Sequence, residues 1–454
     1  MRYFLAIITL LLVAPQAGDA FLFTAGGSFA PGFFVSNAGN DSNPGTAASP
    51  FATISRAQTA MQGSSTKVTY IRAGTYTLTA NASSNCGQTS AIYLTAADSA
   101  ETFSYYPPDG AGTAIIDGGG VNDTAFCLFF GSSTPITIDG LQIQNFAGHG
   151  IVAFWGPTTI KNNTIHDIGY PTPPNNGGGI SLQQNAQGSI VSHNYIYNIG
   201  NMGIQANAYT AGAISNLIYE YNFIDNYCRT VSDCGALYTI DRNDSHSTGL
   251  VVRYNYARNA DVTGIGSEHV YMDEGASNTQ IYGNVLTGFG RTCIHQNGGI
   301  NNTFNNNICD LSTAGKVITE YQGNLVGPCT PPSCGDMSGM TYLSNIFISG
   351  GGGGTYAGNG PLTLPTIGHN VYHQYAGAAV SSAGTGGMAG DPTPQVIDPQ
   401  LSCWAYNIAS GSPVFSAPIN FPAQGANWGI PGFWGPPSFV VPQNGTPPSQ
   451  PHAC

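Results

Sequence analysis

Apolar positions through the middle of the chain fall in short runs of four to six residues rich in β-branched and aromatic side chains, and the runs stop at Gly or Asn. This pattern predicts strands, not helices. A three-residue step, Asn followed by any residue and then usually an apolar one, recurs at Asn163, Asn194, Asn222, Asn255, Asn284, Asn307, Asn345 and Asn370, at intervals of 31, 28, 33, 29, 23, 38 and 25 residues. A minimum near 23 with variable excess describes one coil carrying loop insertions. Each interval holds a run just before the Asn, as at 188–193, and another that opens the coil, as at 179–182 or 269–272. The same residue types return in the same phase, so successive coils should stack in parallel at about 4.8 Å. A corner Asn can tolerate the left-handed conformation and bond its neighbours up the stack. The expected fold is all-β: a single-stranded, right-handed parallel β-helix with a core of Ile, Val, Leu and Phe.

The ends fit a capped solenoid. A strand at 33–36 and a Gly/Asn/Pro turn precede a short amphipathic helix, with Ser49 as N-cap, Pro50 at the first helical position, and Ile54, Ala57 and Met61 on one face. The Pro/Gly/aromatic stretch at 429–450 reads as a wrap or tail. The expected organisation is a signal peptide at 1–20, a cap at 21–67, the β-helix at 68–405 and a C-terminal cap or tail at 406–454.

The stretch that begins Phe34-Val35-Ser36 and runs through Gly39-Asn40-Asp41-Ser42-Asn43-Pro44-Gly45-Thr46 to Pro50-Phe51-Ala52-Thr53-Ile54 resembles the opening of many secreted right-handed β-helix proteins of the pectate-lyase-like superfamily. The segment 233–310, notably Val270-Tyr271-Met272-Asp273-Glu274-Gly275, is similar to β-helix carbohydrate-active proteins. The resemblance spans about residues 33–405. It implies the fold and a carbohydrate partner; the superfamily hosts hydrolases, lyases, epimerases and non-catalytic adhesins.

Composition narrows the field. Only 7% of residues are charged, three are Lys, and the net charge is −12, which disfavours a nucleic-acid partner. Met1-Arg2, an apolar run from Phe4 to Ala14 and small residues before Ala20 describe a secretory signal, so a secreted (extracellular or periplasmic) monomer is expected, with no membrane partner. Ten Cys follow the cut, an even number that suggests disulfides, with local pairs expected at Cys228–Cys234 and Cys329–Cys334 and a tie from Cys403 to Cys454. Sequons at Asn40, Asn81, Asn122, Asn162, Asn243, Asn301 and Asn444 say little in an Asn-rich chain.

Scarce charge makes clustering informative. Arg229, Arg242, Arg253, Arg258 and Arg291 share the stretch 229–291 with Asp233, Asp241, Asp244, Asp261, Glu268, Asp273 and Glu274. Aligned on the Asn step, segments 180–185, 204–207, 236–241, 270–274 and 294–297 stack into a polar wall with tyrosines. Carboxylates matched on adjacent coils would sit about 5 Å apart, near the spacing of retaining glycoside cleavage; two coils apart gives about 10 Å, just beyond the inverting range. Asp273 is thus the expected nucleophile or base and Asp241 or Glu274 the acid, with Arg242, Arg291, His295, Tyr238, Tyr271 and Asn297 binding substrate. Lys316 and Glu320 could extend the groove, and His166 and His193 read as structural. Gly148-His149-Gly150 resembles the His motif of polygalacturonases, but that family's other motifs are missing, as is the Asp-Pro-His-Asp motif of alginate epimerases. The expected activity is glycoside hydrolysis without a cofactor. Two alternatives stay open: a lyase using Arg or a metal, where Ca²⁺ would enter, and a non-catalytic carbohydrate-binding protein.

Overall fold

The computed structural model describes residues 29–422 except 79–85, 87–88, 111, 121–123, 130–134, 170–176, 209–213, 243–248, 261–266, 289, 312–317, 322–336, 350–353, 359–363, 375–380, 386–387 and 402–407. The expected signal peptide, the pair Cys329–Cys334, the tie Cys403–Cys454, Lys316, Asp244, Asp261, the side chain of Glu320 and the stretch 429–450 lie outside these residues.

Every third strand pairs with the next in parallel, and the strands make three sheets that run the length of the molecule. The first sheet has 12 strands, from Phe33–Val35 to Thr366–Gly368. The second has 11, from Gly74–Thr77 to Val371–His373, and the third 11, from Ser90–Leu94 to Ser381–Thr385. Each turn of the chain gives one strand to each sheet in order, which is a parallel β-helix. One continuous apolar column fills its interior, from Val35 to Met388.

The recurring Asn builds the corner between the first and second sheets. Asn163, Asn194, Asn222, Asn255, Asn284, Asn307, Asn345 and Asn370 are all buried. Each donates its side-chain N–H to the side-chain oxygen of the next, at 2.9–3.2 Å. That oxygen also accepts the previous Asn's backbone N–H, as from Asn194 to Asn222 at 3.1 Å. The expectation that Asn itself takes the left-handed conformation is corrected. The residue before it does so: Asn162, His193, Tyr221, Tyr254, Gly283, Asn306, Ser344 and His369 have φ between 53 and 68°. The Asn turns inward, where its amide replaces the ladder bonds that the corner interrupts.

The cap helix spans Ile54–Gln62, with Ile54, Ala57 and Met61 buried as expected. Its N-cap is Thr53, whose hydroxyl accepts the Arg56 N–H at 3.1 Å, and not Ser49. The reason is Asp41, whose carboxylate takes the backbone N–H of Ala52 and Thr53 and the Thr53 hydroxyl, holding Thr53 extended. At the other end Ile408, Val414, Ile419 and Phe421 pack with Ile346, Ile348 and Val371 in an apolar cluster separate from the interior column.

Disulfides join Cys86–Cys127, Cys228–Cys234 and Cys293–Cys309. Only the second follows from local spacing. The other two join residues that the coil, not the sequence, brings together. Bonds of this kind persist in oxidising compartments. Among the described residues no helix is long and apolar enough to cross a membrane.

Candidate functional site

Three strands of the third sheet carry the candidate residues: Cys234–Asp241, Ser267–Asp273 and Thr292–Asn297. Tyr238 lies opposite Tyr271, and Tyr271 opposite His295. Each strand breaks simple alternation once. Ala236 and Leu237 both enter the core, as do Cys293 and Ile294. In the middle strand Val270 is core, and the fully buried His269 meets the hydroxyl of the core residue Tyr227. Two inward residues in succession bend the strand and reset its phase. The residues flanking the bend therefore face outward together: Gly235 and Tyr238, Glu268 and Tyr271, Thr292 and His295.

This geometry brings Glu268 to the wall beside Asp273. Glu268 is flanked across the sheet by Gly235 and Thr292, both small. Its Oε1 lies 3.4 Å from an Arg291 nitrogen and 3.8 Å from His295 Nδ1. Its Oε2 is buried with no hydrogen-bond partner among the described residues. Burial pushes its pKa up to about 8; the Arg291 guanidinium opposes this, and the carboxylates of Asp233 and Asp273 add to it. The shift favours the protonated form of Glu268 at neutral pH. Burial and Arg291 push His295 down to about 3, so its approach to Glu268 joins two neutral groups.

Asp273 has a different environment. Tyr238 donates to its Oδ2 at 2.6 Å and Asn297 donates to its Oδ1 at 2.7 Å. Burial raises its pKa, and these donors together with the Tyr271 hydroxyl oppose the rise because they favour the ionised form. Tyr271 donates to Asp233 at 3.1 Å and meets Tyr238 and His295 edge to face, with centroids 5.1 and 4.6 Å away. Asp273, Tyr238, Tyr271, His295, Asn297 and Arg291 thus lie together on this wall.

Asp241 and Glu274 do not join them in the expected way. The residue opposite Asp273 is Ile240, while Asp241 lies opposite Ala208, a core residue. The expected pair is one residue out of register, and the pleat turns the two carboxylates to opposite faces. Glu274 follows the strand at φ 40° and forms an ion pair with Arg242, whose terminal nitrogen donates to it at 2.6 Å. These two expected site residues neutralise each other at the corner. By residue type alone, Glu268 belongs only to the charge cluster of 229–291. The doubled inward step was the available signal: strict alternation from Val270 would put Glu268 inside.

The fold is a right-handed parallel β-helix. Residues 126–309 match the family model of the right handed beta helix region. The chain is similar to a GH136 lacto-N-biosidase from Eubacterium ramulus (TM-score 0.56, 12% identity, 80% of this chain and 67% of the other). It is also similar to XylC in complex with xylose (0.51, 12%, 82% and 87%). A third likeness is to the A-module of the mannuronan C-5 epimerase AlgE6 from Azotobacter vinelandii (0.51, 11%, 75% and 92%). No curated protein matches the chain. At such identities the likeness is one of fold.

Proposed function

We propose that this protein is a secreted glycoside hydrolase that cleaves a poly- or oligosaccharide on the outward wall of the third sheet. One observation carries the reading: burial raises both carboxyls of one strand, but only Asp273 has phenol and amide donors that offset the rise. Glu268 is buried and keeps its proton with a pKa of about 8, whereas Asp273 is held by phenol and amide donors that favour its charge. Such a split assigns acid and base. Glu268 would protonate the leaving glycosidic oxygen. Asp273 would act as nucleophile or as the base that activates water. Tyr271 and His295 would shape the wall around the sugar, and Arg291 would sit at its rim, 41% exposed at the side chain. The reading needs no cofactor. The disulfides support secretion, and the low positive charge supports a carbohydrate over a nucleic acid.

The test is release of reducing ends from a panel of glycans by the wild type and by Asp273→Asn and Glu268→Gln. The wild type should cut at least one glycan, and each variant should lose about a hundred-fold or more in kcat. Products with unsaturated ends absorbing in the ultraviolet would instead establish a lyase. Binding without cutting by the wild type would leave a carbohydrate-binding protein.

A further inference from the structure

The third sheet continues towards the N-terminus beyond the candidate site, and its outer face changes character. Strands Ser90–Leu94, Thr124–Leu128, Ile151–Trp155, Ile180–Asn185 and Ile204–Ala208 contain no charged residue. One unbroken outward column joins both regions: Tyr93, Cys127, Val152, Ser181, Gln205, Tyr238 and Tyr271 lie opposite one another in turn. Its far end is an apolar patch, in which the Cys86–Cys127 disulfide and Val152 pack against the partly exposed rings of Tyr93, Phe129 and Phe154. The rings of Phe129 and Phe154 are 5.7 Å apart and tilted. Between patch and site the outward groups are amides and a hydroxyl. Gln205 and Gln183 both donate to Ser181 Oγ, at 2.6 and 2.5 Å. The side-chain oxygen of Asn207 is buried with no partner among the described residues. That oxygen is an acceptor awaiting a donor such as a hydroxyl.

From these observations we propose that the substrate is a neutral glycan chain laid along the solenoid axis, and that Tyr93, Phe129 and Phe154 are a remote platform on which its far end stacks. This rests on the hydrolase reading above. Phe154 lies four coils from the Asp273 strand and Phe129 five, so the span is roughly 19–24 Å at the inter-strand spacing, room for several sugar rings. A polyuronate is disfavoured, because no Arg or Lys on these strands meets its carboxylates while the site itself holds Asp233 and Asp273. A neutral pyranose suits the wall, since its hydroxyls pair with amides and its apolar face covers an aromatic ring.

The experiment compares wild type with Phe154→Ala, Phe129→Ala and the conservative Phe154→Tyr on a length series of neutral oligosaccharides, from disaccharide to polymer. The Ala variants should lose about ten-fold in kcat/KM on long chains, mainly through KM, and keep the wild-type rate on the shortest ones. Phe154→Tyr should retain activity at every length. Equal losses at all lengths, or none at any, would overturn the platform while leaving the hydrolase reading intact. Affinity electrophoresis of Asp273→Asn with and without Phe154→Ala, in gels holding a neutral polymer or a polyuronate, reads the platform without turnover. Retardation by the neutral polymer that Phe154→Ala removes supports it even if no glycan is cut. Stronger retardation by the polyuronate overturns it.

Discussion

A glutamic acid that keeps its proton at neutral pH depends on what surrounds it, and Glu268 has few partners: an unpaired buried oxygen, small cross-strand neighbours and two nearby acids. The general acid must be protonated, so activity should be high below about pH 8 and decline above it. Asp273 must be ionised, which sets an acidic limb above the ordinary aspartate range. Glu268→Gln should erase the alkaline limb of kcat along with most of the rate, as a pH–rate profile will read. Glu274→Gln makes a contrasting case. It breaks the pair with Arg242 at the strand's corner, so the melting temperature should fall while kcat stays within about two-fold of wild type. Which acids share a face was not legible from residue type. It depended on one extra inward residue, at Ala236–Leu237 and again at His269–Val270, and period-two counting passes over such a step.

The strand stack was legible because the Asn step recurs in phase, and a buried amide in an apolar setting has few partners except its own copies one coil away. The ladder bears this out from Asn163 to Asn370. Asn222 accepts from the backbone and side chain of Asn194, donates to Asn255 and donates to the Val191 carbonyl. Asn222→Ala leaves several of these groups unpaired, at about 1–3 kcal/mol each. Denaturant unfolding should show a loss of that order, and hydrogen exchange should place the new opening in the coils around 190–256. The cap was legible only in its face. Ile54, Ala57 and Met61 followed from helical spacing, but the start at Thr53 depends on Asp41, twelve residues earlier, which no local signal encodes.

For the whole molecule, the N-terminal end couples stability to pH. Glu101 is buried, both of its oxygens lack hydrogen bonds among the described residues, and Lys67 is 3.8 Å away. Burial and the nearby Asp98 push its pKa up to about 8, against the partial opposition of Lys67. The unfolded chain releases this proton near the ordinary glutamate value, so the folded state loses stability as pH rises from about 4.5 to about 8. Melting curves across that interval should show the decline in wild type and a flatter course in Glu101→Gln. The Cys293–Cys309 bond, with a sequence separation of 16, ties the second sheet to the third beneath the site. Its loss in Cys309→Ala should cost about 3 kcal/mol. The far terminus carries a quieter consequence. The amide row stops at Asp391, whose carboxylate takes the backbone and side-chain N–H of Asn370 and the Tyr372 hydroxyl. An acid has no amide hydrogen to hand onward, so the row has a built-in full stop. Without it, Asn370 would end the row with buried N–H donors left unpaired, and the corner of the last turn would open first.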